Sequence, residues 1–181
     1  MTTAACSESS SLTSVLLDSY LDENISAICP HGYHDPDHNH CAHFVCHVMN
    51  VATGTISCRG MVTTDAKGRI GVCIRVHELF AACPEVGLYD EMPAVKSTAG
   101  VFVFVTAKSA VNLTTKTMTN IPKKHVGIAL NGNIWHYSNT KDKVVTASPE
   151  SFRKHYSGQT SGLYYGTFPA TATPSSFGCG R

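Results

Sequence analysis

The amino-acid sequence predicts an α+β domain, in which helices of the first half pack on a small antiparallel sheet formed by the second half. Apolar residues recur at helical spacing in the first half, whereas β-branched and aromatic runs bounded by turn residues dominate after residue 100. With 181 residues, 43% of them hydrophobic, the chain is long enough for one domain with its own core. We expect a single domain over 1–181, with a loose N-terminal tail at 1–11 and a C-terminal tail at 170–181.

Three helices are expected before the sheet begins. Apolar positions at helical spacing predict a first helix over 12–23, and a turn-rich segment separates it from a second helix over 39–52. The second helix is expected to end at Gly54, because glycine commonly follows the last helical turn. A short third helix over 76–83 precedes Pro84.

The strands of the second half are predicted by β-branched and aromatic runs. Between two of these runs lies Asn131-Gly132, which is the strongest short-range signal for a tight hairpin. The Thr- and Lys-rich segment 108–124 is expected to form an exposed hairpin or loop. The strands are expected at 100–106, 125–130, 133–138, 144–146 and 163–168, with a short helix at 149–156.

Composition excludes several classes of protein. The formal net charge of +1 is much smaller than the excess of basic residues that is typical of a nucleic-acid-binding protein. The sequence has no apolar run near the ~20 residues that a membrane span needs, so no membrane span is expected. The segment Met1 to Ser11 is small and polar, without the basic and apolar regions of a signal peptide. We therefore expect no Sec signal.

Eight cysteines and ten histidines stand out in a chain of this size, since these residues carry nucleophilic and metal chemistry. No two cysteines form a C-x-x-C pair, which argues against a zinc ribbon or a thioredoxin-like motif. An even number of cysteines permits disulfides, but their pairing does not follow from the sequence.

Cys41 is the candidate nucleophile. A helical projection places it in the first turn of the second helix, on the face that packs against the rest of the domain. Unpaired N–H groups and the helix dipole at such a position favour thiolate and can accept an oxyanion. For a lone helical cysteine, a structural role in the core is the alternative. The opposite face of the helix carries His43, Cys46, His47 and Asn50.

A base and an orienting group come from the predicted hairpin. His125 opens one strand and His136 lies on the returning strand, and pairing 130 with 133 places the two one diagonal apart. One imidazole can then hold the tautomer of the other, as the third member of a catalytic triad does. Asn139, or a histidine of the segment 31–40, remains an alternative third residue.

The segments Cys41-Ala-His-Phe-Val, Gly100-Val-Phe-Val-Phe and His125-Val-Gly-Ile-Ala-Leu-Asn-Gly-Asn-Ile-Trp-His136 together resemble the NlpC/P60 group of papain-like cysteine peptidases. The resemblance covers about residues 30–140 and keeps the order of the motifs. It implies a papain-like fold, a nucleophile at Cys41, a general base at His125 and an orienting third residue at His136. It also implies that Tyr33 borders the oxyanion site.

Two departures from the NlpC/P60 pattern are present. The family usually has Asp-Cys-Ser-Gly at the nucleophile, where this chain has His40-Cys41-Ala42-His43, and Val101 stands where the family has aspartate. Residues 39–45 are also similar to the Asn-Cys-x-His-Phe-Val motif of the lecithin:retinol acyltransferase-like enzymes. Those relatives place the base before the cysteine, whereas here it follows. A thiol acyltransferase or lipid hydrolase of that kind is therefore an alternative.

A metal site is the other alternative. The segment 31–41 carries four histidines, and His43 and His47 have the i, i+4 spacing of zinc ligands. The pair lacks the glutamate of the H-E-x-x-H motif and lies on the helix face away from Cys41. We expect no metal and no cofactor, with a zinc-dependent hydrolase using 31–47 as an alternative. A non-catalytic binding module is also considered, but all three candidate catalytic residues are present.

The resemblance implies a single catalytic domain that hydrolyses amide bonds in peptidoglycan stem peptides through a thioester. It suits a bacterial cell-wall-degrading effector, such as a type VI secretion amidase toxin, or a phage lysin. Such an effector is injected without a Sec signal, acts in the periplasm or cell wall of a target bacterium, and is blocked by an immunity protein that plugs its cleft. These remain expectations of the sequence.

Overall fold

The computed structural model describes residues 11–62, 71–156 and 160–178. The described chain is α+β, with most helices before residue 100 and an antiparallel six-stranded sheet of which all strands but Val86–Leu88 follow it, which confirms the predicted α+β class. Residues 1–10 of the expected N-terminal tail and 179–181 of the expected C-terminal tail lie outside the described residues.

Six α-helices are present in the described residues, joined by short 3-10 turns at Arg59–Met61, Tyr89–Glu91 and Lys108–Ala110. The helices are α1 Ser14–Asp18, α2 Ile25–Ile28, α3 Cys41–Met49, α4 Val76–Ala82, α5 Ala94–Ala99 and α6 Pro149–Arg153.

Three helices are shorter than expected by at least three residues, and one of them is the last, which spans Pro149–Arg153 instead of 149–156. The Thr13 side chain accepts a hydrogen bond from the Leu16 N–H and caps the start of the first helix. This helix ends at Asp18, and Asp22, with φ of +65°, lies in the turn that follows. The second ends before Gly54, because Asn50 adopts the left-handed conformation with φ of 51°. The N–H of Asn50 then donates to the carbonyls of the last turn, so an asparagine rather than the glycine closes this helix.

The main sheet has the strand order β1-β8-β2-β5-β6-β7, and every neighbouring pair is antiparallel. The expected hairpin within 108–124 is present as a separate two-stranded ribbon of β3 and β4. The strands are β1 Val86–Leu88, β2 Val101–Ala107, β3 Val111–Asn112, β4 Thr117–Met118, β5 Lys124–Leu130, β6 Asn133–Ser138, β7 Lys143–Ala147 and β8 Ser161–Gly166.

The β5–β6 hairpin turns at Asn131-Gly132 as predicted, and both turn residues have positive φ. The pairing of Leu130 with Asn133 also matches the predicted register. The β5–β6 pairing extends only to Ile128, opposite Trp135, so the first residues of β5 are not paired with the last residues of β6. The candidate base and third residue lie in this stretch, where His125 pairs with Val105 of β2 and His136 pairs with Val145 of β7.

Helix α3 is the central helix of the domain. It packs on β5 and β6, and its residues from Cys41 to Cys46 are all buried. The expectation that one face of this helix points away from the core is therefore wrong, because α2, the segment around Cys58 and residues 171–178 cover that face. Its buried apolar side chains each contribute roughly 1.5–3 kcal/mol of burial free energy, which fixes the helix firmly in place.

The described part of the C-terminal segment is attached to the end of α3. The N–H groups of Thr173 and Ser175 donate to the carbonyls of Met49 and Val48. The opposite face of the sheet forms a second, smaller core under α6, centred on Phe152. No helix among the described residues is both long and apolar enough to span a membrane.

Candidate active site

Cys41 begins α3 and is 1% exposed. Its backbone N–H donates to Oδ1 of Asn39 at 3.0 Å, so the asparagine side chain holds the start of the helix. The backbone N–H groups of Ala42 and Val126 face its sulfur. The nucleophile candidate is thus fixed between its own helix and the start of β5.

Burial raises the pKa of the Cys41 thiol to about 11. The N–H groups of Val126 and Ala42 and the ammonium of Lys124 lower it, but desolvation outweighs them. This direction is opposite to the expectation that the helix start favours a thiolate. A neutral thiol needs a base at the moment it attacks.

The two candidate histidines meet as predicted. Nε2 of His125 lies 2.9 Å from Nδ1 of His136, and the rings are nearly perpendicular. The other ring nitrogen of His125, Nδ1, is buried and has no hydrogen-bond partner among the described residues. Such an unpartnered buried nitrogen is costly and is often found where a group has a chemical role.

The side chains of Cys41 and His125 lie on opposite faces of the main sheet. Cys41 begins α3, which packs on the face that carries Val126, whereas the His125 ring packs on Phe152 and His155 at the smaller core under α6. The structure therefore brings the predicted base and third residue together but does not place them in contact with the predicted nucleophile.

Both imidazoles are neutral in the folded protein. Burial lowers the pKa of His125 well below its ordinary value, and the neighbouring His155 and His136 lower it further. Burial, followed by the effect of His155, lowers the pKa of His136 to about 4. A neutral imidazole is the form that can accept a thiol proton.

His155 is a member of this site that the sequence did not single out. Its ring stacks on that of His125, with centroids 4.0 Å apart and planes 12° apart, and Phe152 packs against the same imidazole. Phe152 and His155 are three residues apart in the predicted short helix at 149–156, so the sequence already placed them on one helix face. The stacking restricts the orientation of the His125 ring.

The alternative third residues have other partners. Asn139 accepts the backbone N–H of His40 through Oδ1 at 3.2 Å, and His38 is hydrogen-bonded to the Tyr33 hydroxyl at 2.8 Å. Neither contacts His125, so His136 is the polar side chain that holds this ring among the described residues.

A cleft of about 300 Å³ lies in front of Cys41. Tyr33 lines it together with Cys41, and its side chain is largely buried, so the residue expected beside the oxyanion site does reach the same cavity. The sequence did not identify the residues of the opposite wall, which come from the start of α4 and from the segment before β5. The cleft is lined by Tyr33, His38, Asn39, Cys41, Met61, Ile74, Arg75, Val76, His77, Asn120, Pro122 and Lys124.

The charge of the cleft is positive. Arg75 and Lys124 line it, and none of its described lining residues carries a carboxylate. His77 adds a buried Nδ1 without a hydrogen-bond partner. A cavity with this lining favours a substrate that carries a negative charge.

His43 and His47 do not line the cleft. They lie on the other side of α3, where they approach Cys29 and Cys58. All six cysteines in the described part of the chain are free thiols, and Cys6 and Cys179 lie outside it.

Comparison of this chain with protein-family models, with curated proteins and with solved structures finds no match.

Proposed function

We propose that this protein is a cysteine hydrolase of NlpC/P60 type, which cleaves amide bonds in peptidoglycan stem peptides through a thioester. The observation that carries the proposal is the Cys41 thiol at the start of α3, which lines a positively charged cleft and faces the N–H groups of Ala42 and Val126. The unpartnered Nδ1 of His125 is proposed as the acceptor of the thiol proton, which requires this ring to turn from the α6 face of the sheet toward the thiol.

The geometry defines the tautomers that the reaction needs. If Nδ1 of His125 is to accept a proton, Nε2 must carry the ring hydrogen, and it then donates to Nδ1 of His136. His136 accepts through Nδ1 and carries its own hydrogen on Nε2. The third residue thus keeps the base in its accepting form, which is the role of the carboxylate in a serine triad.

The proposed reaction has two steps. The Cys41 sulfur attacks the amide carbon while its proton passes to His125, and the oxyanion forms near the N–H groups that face the sulfur. The C–N bond breaks as His125 protonates the departing amine, which leaves a thioester. Water, deprotonated by the neutral His125, then attacks the thioester and releases a carboxylic acid and the free thiol.

The positive cleft supports an anionic substrate. Stem peptides carry free carboxylates, and Arg75 and Lys124 are placed to bind such groups near the thiol. This charge, together with the sequence resemblance, supports a peptidoglycan peptide rather than a neutral lipid ester. Action at the cell wall of a target bacterium, as an effector or lysin, is part of the same proposal and rests on the sequence resemblance alone. An immunity protein that fills this cleft would present carboxylates to it.

Digestion of purified peptidoglycan, followed by mass spectrometry of the fragments, tests the proposal. The wild type should release fragments with one new amine and one new carboxylate for each bond cleaved. Cys41→Ala should release none, while Cys83→Ser, a change at a buried cysteine that does not line the cleft, should behave like the wild type. Intact peptidoglycan with the wild type, or equal cleavage by Cys41→Ala, would contradict the proposal. Transfer of an acyl chain from a lipid would instead support the acyltransferase alternative.

A further inference from the structure

Four metal-ligand side chains converge on the side of α3 away from the cleft. One ligand atom from each of Cys29, His43, His47 and Cys58 lies within 4.8 Å of the others. Nε2 of His43 and Nε2 of His47 are 3.1 Å apart, and the Cys58 sulfur is 3.9 Å from Nε2 of His47. We call these four residues the helix cluster.

These separations are close to those of a filled tetrahedral site. With Zn–N near 2.0–2.1 Å and Zn–S near 2.3 Å, ligand atoms around a tetrahedral zinc lie roughly 3.3–3.8 Å apart. Two cysteines and two histidines form one of the common structural zinc sets, and the i, i+4 histidines place both rings on one helix face.

A chain of hydrogen bonds fixes the tautomer of His43. The Asp35 carbonyl can only accept, so His40 carries its hydrogen on Nε2, which donates to that carbonyl at 2.8 Å. Nδ1 of His40 is then an acceptor, and Nδ1 of His43 donates to it at 3.1 Å. Neutral His43 therefore carries no hydrogen on Nε2, the nitrogen that faces the helix cluster. In zinc sites, a hydrogen bond from the other ring nitrogen commonly holds the ligating histidine in this way.

The helix cluster is closed and separate from the cleft. Its two cysteines and His43 are buried, and none of its four members lines the cavity in front of Cys41. Four protein ligands complete a tetrahedral zinc and leave no position for water or substrate. The arrangement suits a structural ion rather than a catalytic one.

We propose that Cys29, His43, His47 and Cys58 bind one structural Zn²⁺ ion. The site connects α3 to two segments that have little regular structure of their own, the end of α2 and the turn before Arg59–Met61. It thereby holds the helix whose first residue is Cys41. The inference does not depend on the proposed peptidase activity.

Metal analysis of the full-length protein tests the site directly. Protein purified from zinc-supplemented cells should contain one zinc per chain. Replacement by Co²⁺ should give the visible absorption of a tetrahedral ion together with a thiolate-to-metal charge-transfer band. Both measurements use the wild type, so they do not depend on whether a variant folds. Wild-type protein without zinc, or a cobalt spectrum without thiolate bands, would overturn the proposal.

Variants identify the ligands. Cys58→Ser and His47→Asn should weaken zinc binding on the order of 100-fold or more, measured by competition with a chromophoric chelator. His40→Ala should weaken it by roughly 10- to 100-fold, because His43 loses the partner that orients it. Cys83→Ser is the matched buried control and should bind like the wild type. A Cys29–Cys58 disulfide in protein purified without reductant would also overturn the site. Peptidoglycan cleavage is assayed separately, so loss of one proposal leaves the other standing.

Discussion

The protein contains two buried groups of histidines, and they differ in which ring nitrogens have partners. In the strand pair, formed by His125 and His136, one nitrogen of His125 is buried without a partner. In the helix cluster, both nitrogens of His43 are within hydrogen-bond distance of another histidine. A ring nitrogen without a hydrogen-bond partner can accept a proton, whereas a ring nitrogen that faces other ligand atoms can coordinate a metal ion.

The surroundings of the two groups also differ. The strand pair packs against Phe152 on the α6 face of the sheet, so it reaches the positively charged cleft in front of Cys41 only if its rings reorient. The helix cluster contains two thiols but lines no part of that cleft. A cysteine next to a histidine therefore does not by itself indicate catalysis; access and an unpartnered acceptor decide between the roles.

The largest effect is expected from breaking the strand pair. His125→Asn should lower kcat/KM on stem peptides by about 10⁴-fold or more, as Cys41→Ala does, because asparagine cannot accept and return the proton. The melting temperature should stay close to that of the wild type. The measurement is kcat/KM together with thermal unfolding. Substantial turnover by His125→Asn would rule out the NlpC/P60 mechanism.

Removal of zinc from the helix cluster should lower the free energy of unfolding rather than the catalytic rate. With zinc at ~1,000 times its dissociation constant, the ion contributes about 4 kcal/mol to the free energy of unfolding, and a strong chelator should remove this contribution. Activity should decline only as the protein unfolds, whereas iodoacetamide should inactivate the folded enzyme at Cys41. Urea unfolding and initial rates, with and without chelator, check both points. Immediate loss of activity with unchanged stability would assign the zinc a catalytic role instead.

A smaller loss is expected from His136→Asn. Asparagine can still accept the hydrogen bond from His125, so it preserves part of the tautomer control. We expect kcat/KM to fall by roughly 10- to 1,000-fold, less than or comparable to the loss on removing the third residue of a serine triad. The steady-state kinetics of this variant and of His125→Asn should be compared on one peptide. Wild-type activity in His136→Asn would make His136 a structural residue of the sheet.

The smallest effect is a pH dependence of stability. The pKa of His136 is about 4 in the folded protein and about 6.5 in the unfolded chain, so between these values the unfolded state binds the extra proton. His136 by itself therefore lowers the free energy of unfolding by roughly 1.4 kcal/mol per pH unit as the pH drops from about 6.5 toward 4, and the lowered pKa of His125 adds to this fall. His136→Asn should flatten this slope, measured by urea unfolding at several pH values. An unchanged slope would mean that other groups dominate.

The sequence predicted those features that local signals determine. Asn131-Gly132 defined the hairpin turn and its register, and this register correctly predicted that His125 and His136 meet, although the pairing of the two strands ends at Ile128 and Trp135. The α+β order followed from the change of periodicity near residue 100.

Long-range contacts explain what the sequence missed. Cys29 and Cys58 lie in irregular segments on either side of α3, so no period links them to His43 and His47. Helical projection gave the direction of these histidines correctly, but it could not show that other segments cover them. Helical projection also overestimated how far the helix dipole lowers the pKa of Cys41. The opposing desolvation comes from neighbours distant in the chain, which a projection does not show.

Helix α3 rigidly connects the candidate nucleophile to the helix cluster. Cys41 and His47 are six residues apart on the same helix, a rise of about 9 Å, with no proline or glycine between them to bend it. A rigid rod of this length transmits a sideways shift at one end to the other almost undiminished. Any rearrangement that displaces the backbone of α3 at His43 and His47 therefore also moves the sulfur relative to the start of β5, so distant substitutions can misalign the thiol without touching it.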